Sequence, residues 1–396
     1  MTVTFTTSGP TPTAIAAKIG SSAFAVQALA SGKLTLTIPS GTTTFAVAYV
    51  CPGQTLPGAQ QTTTDEYVLE GSTADGTSFP VPCQRTGTFP TGPTATLTGS
   101  VDASAISGAV IVDVVAISAD TLNLTGVANP GDFSLAAPTG TDRVQLFAYG
   151  AVQDPLQGGP ILAAKNFSSQ AVPGALNGGN PVVFSAADAT TLEPITVTDT
   201  PAGFPAPVVA VTLETGPSGT HLSNGQGQYW ALPAGALESG DYYLGFAAAF
   251  DTSTGRQVDV VSSSTSGGPI ALAMPTPWSY SGPAPAALPT FQIDYSGFSG
   301  KTGIRLSGDI YWSSGSGADL QVSDIRVNAT TNFQKGSTAV AIPDLSGLPG
   351  FLAAPPAGTD LSWNASETQT SFGALQTLPT NGTETVVGMT GFFTVP

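Results

Sequence analysis

Lys33-Leu34-Thr35-Leu36-Thr37-Ile38 sets an apolar side chain at every second position and runs into the turn residues Pro39-Ser40-Gly41. A period of two marks a strand with one face in a core and the other in water, because successive side chains leave a strand on opposite sides. Similar short runs surround it, at Val3–Thr7, Ala14–Ile19, Phe24–Ala28, Thr43–Val50, Glu66–Glu70 and Ser78–Val81, with turn-forming residues between them. Seven strands in about ninety residues predict a β-sandwich over residues 1–90.

The same pattern continues downstream, and helical periodicity is nearly absent. Thr86–Thr94, rich in Gly and Pro, reads as a linker. Runs at Ala95–Val101, Ala109–Ile117, Thr121–Gly126, Asp132–Ala136, Val144–Tyr149, Ala163–Phe167, Pro181–Ser185 and Ile195–Thr198 predict a second sandwich over 95–198. Ten or so further runs, among them Tyr242–Phe250, Ile304–Trp312, Leu320–Asn328 and Thr385–Val395, predict a larger sandwich or a barrel over 201–396. The proline-rich stretch 276–289 is an alternative inner boundary within it. The expected fold class is all-β, with tandem β-sandwich domains of immunoglobulin-like or transthyretin-like type.

In the second segment, Leu97-Thr98-Gly99-Ser100-Val101, Gly108-Ala109-Val110-Ile111-Val112, Gly131-Asp132-Phe133-Ser134-Leu135 and Pro138-Thr139-Gly140 follow in order. Gly131-Asp132 turns the chain, Phe133 and Leu135 point inward, and Pro138-Gly140 turns it again. This succession resembles the transthyretin-like, carboxypeptidase-regulatory-like sandwich domain over the first half of residues 95–197. The resemblance implies a structural or binding module without catalytic residues of its own. The short Asp102–Ser107 connection and the Gln153–Pro160 insertion depart from the pattern and leave the strand order open.

Composition bounds the function. Charged residues make up 9% of the chain, against about a quarter in ordinary domains, and 26 acids face 10 bases for a net charge of −16. Such a chain repels phosphate backbones, which excludes nucleic acid as a partner. The 41% of hydrophobic residues suffices for packed cores. No apolar run approaches the ~20 residues of a membrane helix. No basic and apolar leader opens the chain, so an exported form implies a signal peptide or lipoprotein leader ahead of Thr2–Thr7. Cys51 and Cys83 are the only cysteines, and a disulfide between them would stabilise by about 3–4 kcal/mol in the chain-entropy model. Two buried thiols are the alternative.

Few residues here carry chemistry. Asp251-Thr252-Ser253 after an apolar run resembles the active-site turn of pepsin-like proteases, but those need a second carboxylate turn and none occurs. A local turn is the better reading. His221 is the only histidine, sits in a glycine-rich loop and has no nucleophile elbow to serve. No catalytic residue and no metal ligand set is assigned and no cofactor is expected, although loops bearing Asp65-Glu66, Asp102, Asp132, Asp319 and Asp324 offer oxygens for a structural Ca²⁺. The candidate ligand-binding residues are the aromatics Trp230, Tyr243, Trp278, Tyr311, Trp312 and Trp363, which stack on sugars or anchor a protein when exposed and fill a core when buried. Alternation in Ile310-Tyr311-Trp312 sends Tyr311 and Trp312 to opposite faces.

These readings converge on a non-enzymatic, exported protein of a bacterial cell surface, secreted or periplasmic, acting in adhesion, scaffolding or ligand binding. Its expected partner is a carbohydrate or a surface protein. A self-assembling surface-layer or filament subunit is one alternative, since the Thr2–Thr7 and Thr385–Val395 strands offer sheet edges. A divergent secreted hydrolase using paired acids is the other.

Overall fold

The computed structural model describes the chain apart from residues 56–60, 84–92, 119–121, 152–159, 169, 171, 216–218, 225–226, 278–281, 296–302, 317–319, 377–378 and 380. Trp278, Asp319, most of the expected linker and most of the 153–160 insertion lie outside the described residues. Strands hold 58% of the described residues and helix 4%, so its layers are sheets.

The opening run forms the strand Lys33–Thr37, which pairs antiparallel with Thr2–Ser8; that strand pairs in parallel with Ser78–Pro82. This small sheet packs on a second one containing Ala14–Ile19, Thr44–Val50 and Gln61–Ser72. Between them Phe5, Phe45 and Phe79 meet at ring-centroid distances of 5.5–5.6 Å. The disulfide Cys51–Cys83 joins the ends of Thr44–Val50 and Ser78–Pro82, with Cα atoms 5.4 Å apart, and ties the two layers together.

The middle segment is a second sandwich. One sheet runs Leu122–Ala128, Ala109–Ser118, Thr141–Gly150, Ile161–Ser168; the facing one pairs Gly131–Pro138 with Thr94–Asp102, which also takes Gly174–Ala175 and Val182–Val183 in parallel. Phe133 and Leu135 do point inward. Gly99 is required opposite Phe133, because a Cβ there would lie 2.7 Å from the ring.

Thr191–Thr198, Gln228–Ala231 and Ile270–Ala273 form a small sheet of their own, while most of the remaining strands continue the N-terminal sheet. Its order is Gly219–His221, Val208–Glu214, Tyr242–Asp251, Arg256–Ser264, Gly382–Thr394, Asp360–Thr370, Ile304–Ser314, Leu320–Thr330, then Gln61–Ser72, Thr44–Val50, Ala14–Ile19 and Ala25–Val26. The junction is a parallel ladder from Gln61↔Leu320 to Glu70↔Ala329. The barrel alternative for 201–396 is therefore corrected: the edge of Leu320–Thr330 that closure would need is taken by Gln61–Ser72, and the sheet stays open.

Period-two alternation gives this long sheet one apolar and one polar face over its central strands. The apolar face builds two cores. One joins Val211, Leu213, Tyr243, Val258 and Val260 to Ile195 and Leu272, and also to Phe147 of the middle sandwich. The other packs Leu306, Ile310, Trp312, Val327 and Trp363 under Phe291 and Val340 from the short pair Thr290–Gln292 and Ala339–Ala341.

Candidate functional site

Burial sorts the aromatic candidates. Tyr243 is wholly buried, its Oη accepting from the Leu232 amide at 3.0 Å, with Tyr229 edge-on at 5.6 Å. Trp230 is half-buried against the same core. Trp312 and Trp363 lie in the second core, the latter 6.3 Å from Phe291 and over Gly391. Tyr243, Trp312 and Trp363 are thus core residues and offer no ring to a ligand, a correction whose cause is that their positions in the alternation face inward. Tyr311 is different: it is 49% exposed on the opposite face from its neighbours.

That polar face holds the site. Cross-strand register places Thr390, Asn364, Asp309, Arg326, Tyr67 and Tyr49 in a single row across six strands. Alternation brings Arg305 and Ser307 to the same side as Asp309, and Asp324 and Asn328 to the same side as Arg326. All of these except Thr390 and Asp324, together with Gln257 and Asp259, border a groove of about 580 Å³, walled by Pro80 and Pro82 of the small N-terminal sheet and by Leu375 and Gln376. The N-terminal sandwich thus supplies one wall and the long sheet the floor.

Arg326 organises the floor. Its Nη2 donates to Asp324 at 3.1 Å, and its Nε is 3.4 Å from Asp309 Oδ2. The guanidinium carbon lies 5.6 Å from the Tyr67 ring centre, and Tyr67 stacks on Tyr49 at 5.1 Å and 16°. Burial pushes the Asp309 carboxyl up to about 6 against the pull of Arg326. Burial likewise raises Asp324 to about 7, with Asp309 and Asp65 adding repulsion. Asp259, half-buried in the groove lining three strands from Asp309, is raised to about 6 by burial. Arg305 adds a second guanidinium, 3.8 Å from Glu384. Asp309 Oδ1, Asp324 Oδ1 and Asn364 Oδ1 are buried without a hydrogen-bond partner among the described residues. Such oxygens normally bond to protein, water or a ligand.

Asp309 and Arg326 were not among the residues that sequence reasoning singled out. A signal existed: with ten Lys and Arg in the chain, two fall in neighbouring strands as Arg305-x-Ser307-x-Asp309 and Asp324-x-Arg326-x-Asn328, each on one side of its strand. The other motifs are local. Asp251 caps the hairpin between Tyr242–Asp251 and Arg256–Ser264, accepting from Ser253 Oγ and Thr254 Oγ1 at 2.6 Å, which holds its carboxyl below the usual range. His221 is exposed on an edge strand. Among the described residues no three His, Cys, Asp or Glu side chains are arranged to hold a metal ion. No helix among them is long and apolar enough to cross a membrane.

No protein-family model matches the chain, and no curated protein matches it. Among solved structures, one from a study of host cell surface retention of a 1.5-MDa bacterial ice-binding adhesin is 14% identical, covering 67% of this chain and 88% of that chain, with a TM-score of 0.13. At that score the two chains share no overall superposition.

Proposed function

We propose that the chain is a non-enzymatic, exported protein of a bacterial cell surface, with a groove for a hydroxyl-rich ligand, a carbohydrate rather than a protein. One observation carries this reading: three buried oxygens, of Asp309, Asp324 and Asn364, without a partner among the described residues, in and beside a groove of about 580 Å³. Groove sizes of ~300–1,000 Å³ with a few convergent polar groups are typical of ligand sites. Carboxylate and amide oxygens accept from hydroxyls, and Arg305 and Arg326 donate to them, so the lining suits a polyol. The disulfide supports an oxidising compartment. The middle sandwich fits this reading as a transthyretin-like structural module.

Titration calorimetry of the full chain against neutral and acidic oligosaccharides tests the reading. Binding by the wild type, weakened about tenfold or more by Asp309→Ala, is expected; that factor corresponds to about 1.4 kcal/mol. Folded protein that binds none of them removes the reading. A paired-acid hydrolase is the second reading, favoured by two carboxyls raised toward neutrality on one guanidinium. Release of reducing ends by the wild type and none by Asp309→Asn would replace binding with catalysis.

A further inference from the structure

The row next to the groove contains Phe392, Ser362, Tyr311, Asp324 and Asp65, each the cross-strand partner of the next. Tyr311 and Phe392 are 49% and 86% exposed, whereas Trp312 and Trp363 of neighbouring positions are buried. Two strand spacings separate the exposed rings, ~10 Å, with the small Ser362 between. Both rings stand on the polar face, and Asp309 and Asn364 lie two residues along their strands from Tyr311 and Ser362, ~7 Å away. We propose that Tyr311 and Phe392 are stacking platforms for two sugar units of a linear neutral glycan that lies across the strands, with the hydroxyl edge of the unit on Tyr311 turned to Asp309 and Asp324.

The occupant follows from chemistry. A protein hot spot needs contiguous apolar surface around its aromatic anchors. Here the positions between and beside the rings are Ser362, Asn364, Thr390 and Asp324. Small polar groups between isolated rings match a ligand whose flat apolar faces alternate with hydroxyl edges. Asp324 beside Tyr311 and the net charge of −16 oppose an acidic polysaccharide. Ring spacing of two strands is comparable to a disaccharide repeat.

This inference rests on the groove reading, and the test separates the two. The full chain, its Tyr311→Ala, Phe392→Ala, Tyr311→Phe and Asp309→Ala variants are titrated with neutral β-linked disaccharides to hexasaccharides and with an acidic oligosaccharide of matched length. Stacking predicts about tenfold weaker binding for each alanine variant and retention for Tyr311→Phe, because the ring and not the hydroxyl makes the contact. Both sites are exposed, so the variants should keep the wild-type melting temperature. Alanine variants that bind as tightly as wild type while Asp309→Ala loses affinity would overturn the platform and leave the groove standing. Binding of the acidic oligosaccharide alone would overturn the neutral-glycan assignment. Binding of neither would overturn both.

Discussion

Glu367 has no accessible surface, and neither of its carboxylate oxygens has a hydrogen-bond partner among the described residues. It occupies an inward position of Asp360–Thr370, in the alternation that buries Trp363 and Ala365. Burial, with repulsion from Asp294, pushes its carboxyl from 4.5 up to about 8. The folded protein therefore keeps this proton up to about pH 8, while the unfolded chain releases it near the ordinary value. Between those limits the unfolded state binds fewer protons, so stability falls as pH rises from about 4.5 to about 8 and then levels off. Glu367→Gln cannot ionise and should melt well above wild type at pH 9, with the two converging near pH 4. Melting curves across pH check this; a wild-type-to-variant gap that stays constant would show that Glu367 is already charged in the fold. None of this was legible in the sequence, where an acid between Ser366 and Thr368 has the look of a solvated strand face.

Arg143 and Asp241 join two elements that the sequence places far apart. Arg143, on Thr141–Gly150 of the middle sandwich, donates from Nη1 and Nη2 to both oxygens of Asp241, at 2.6 and 2.7 Å. Asp241 directly precedes the strand Tyr242–Asp251 of the long sheet and also accepts from the Glu238 amide at 2.8 Å. Both partners are buried, so removing one strands the other's charge in the interior. Arg143→Ala should cost about 3–5 kcal/mol in denaturant unfolding, and far more than the double variant that combines Arg143→Leu with Asp241→Met. Equal losses for single and double variants would show that packing and not charge makes the joint. At this scale the strands themselves were readable. Lys33–Thr37, Thr44–Val50 and Ile304–Ser314 fall close to their alternating runs. The misses have a common cause: Gln61–Ser72 begins in Gln-Thr-Thr-Thr-Asp, which carries no apolar alternation, so only its Glu66–Glu70 portion showed. The Gly219–His221 strand is held by register with Val208–Glu214 and has no apolar side chain.

The whole molecule depends on a pairing that no local pattern encodes. Periodicity tells which side chains share a face, and it correctly separated Tyr311 from Trp312; it does not tell which strand lies alongside. The candidate site needs that second fact, since Arg326 meets Tyr67 only because Leu320–Thr330 and Gln61–Ser72 run parallel across more than half the chain. The same ladder sets the stability of the assembly. A fragment of residues 95–396 would uncover the full edge of Leu320–Thr330, eleven residues containing Val322, Ile325 and Val327 and neither Lys nor Pro. Unpaired edges of that kind recruit other strands, because their N–H and C=O groups have lost their partners. Light scattering should give the fragment a mass above one chain that grows with concentration, beyond whatever the full-length protein shows at the same concentrations. Adding the separate segment 1–94 should lower it by re-pairing the edge. A fragment that stays at one chain and melts with the full-length protein would mean that the 201–396 strands are stable without their N-terminal neighbour. In that outcome the wall formed by Pro80 and Pro82 would be an addition to a finished sheet, and ligand binding by the fragment would persist in weakened form; if the sheet is one cooperative unit, binding and folding are lost together.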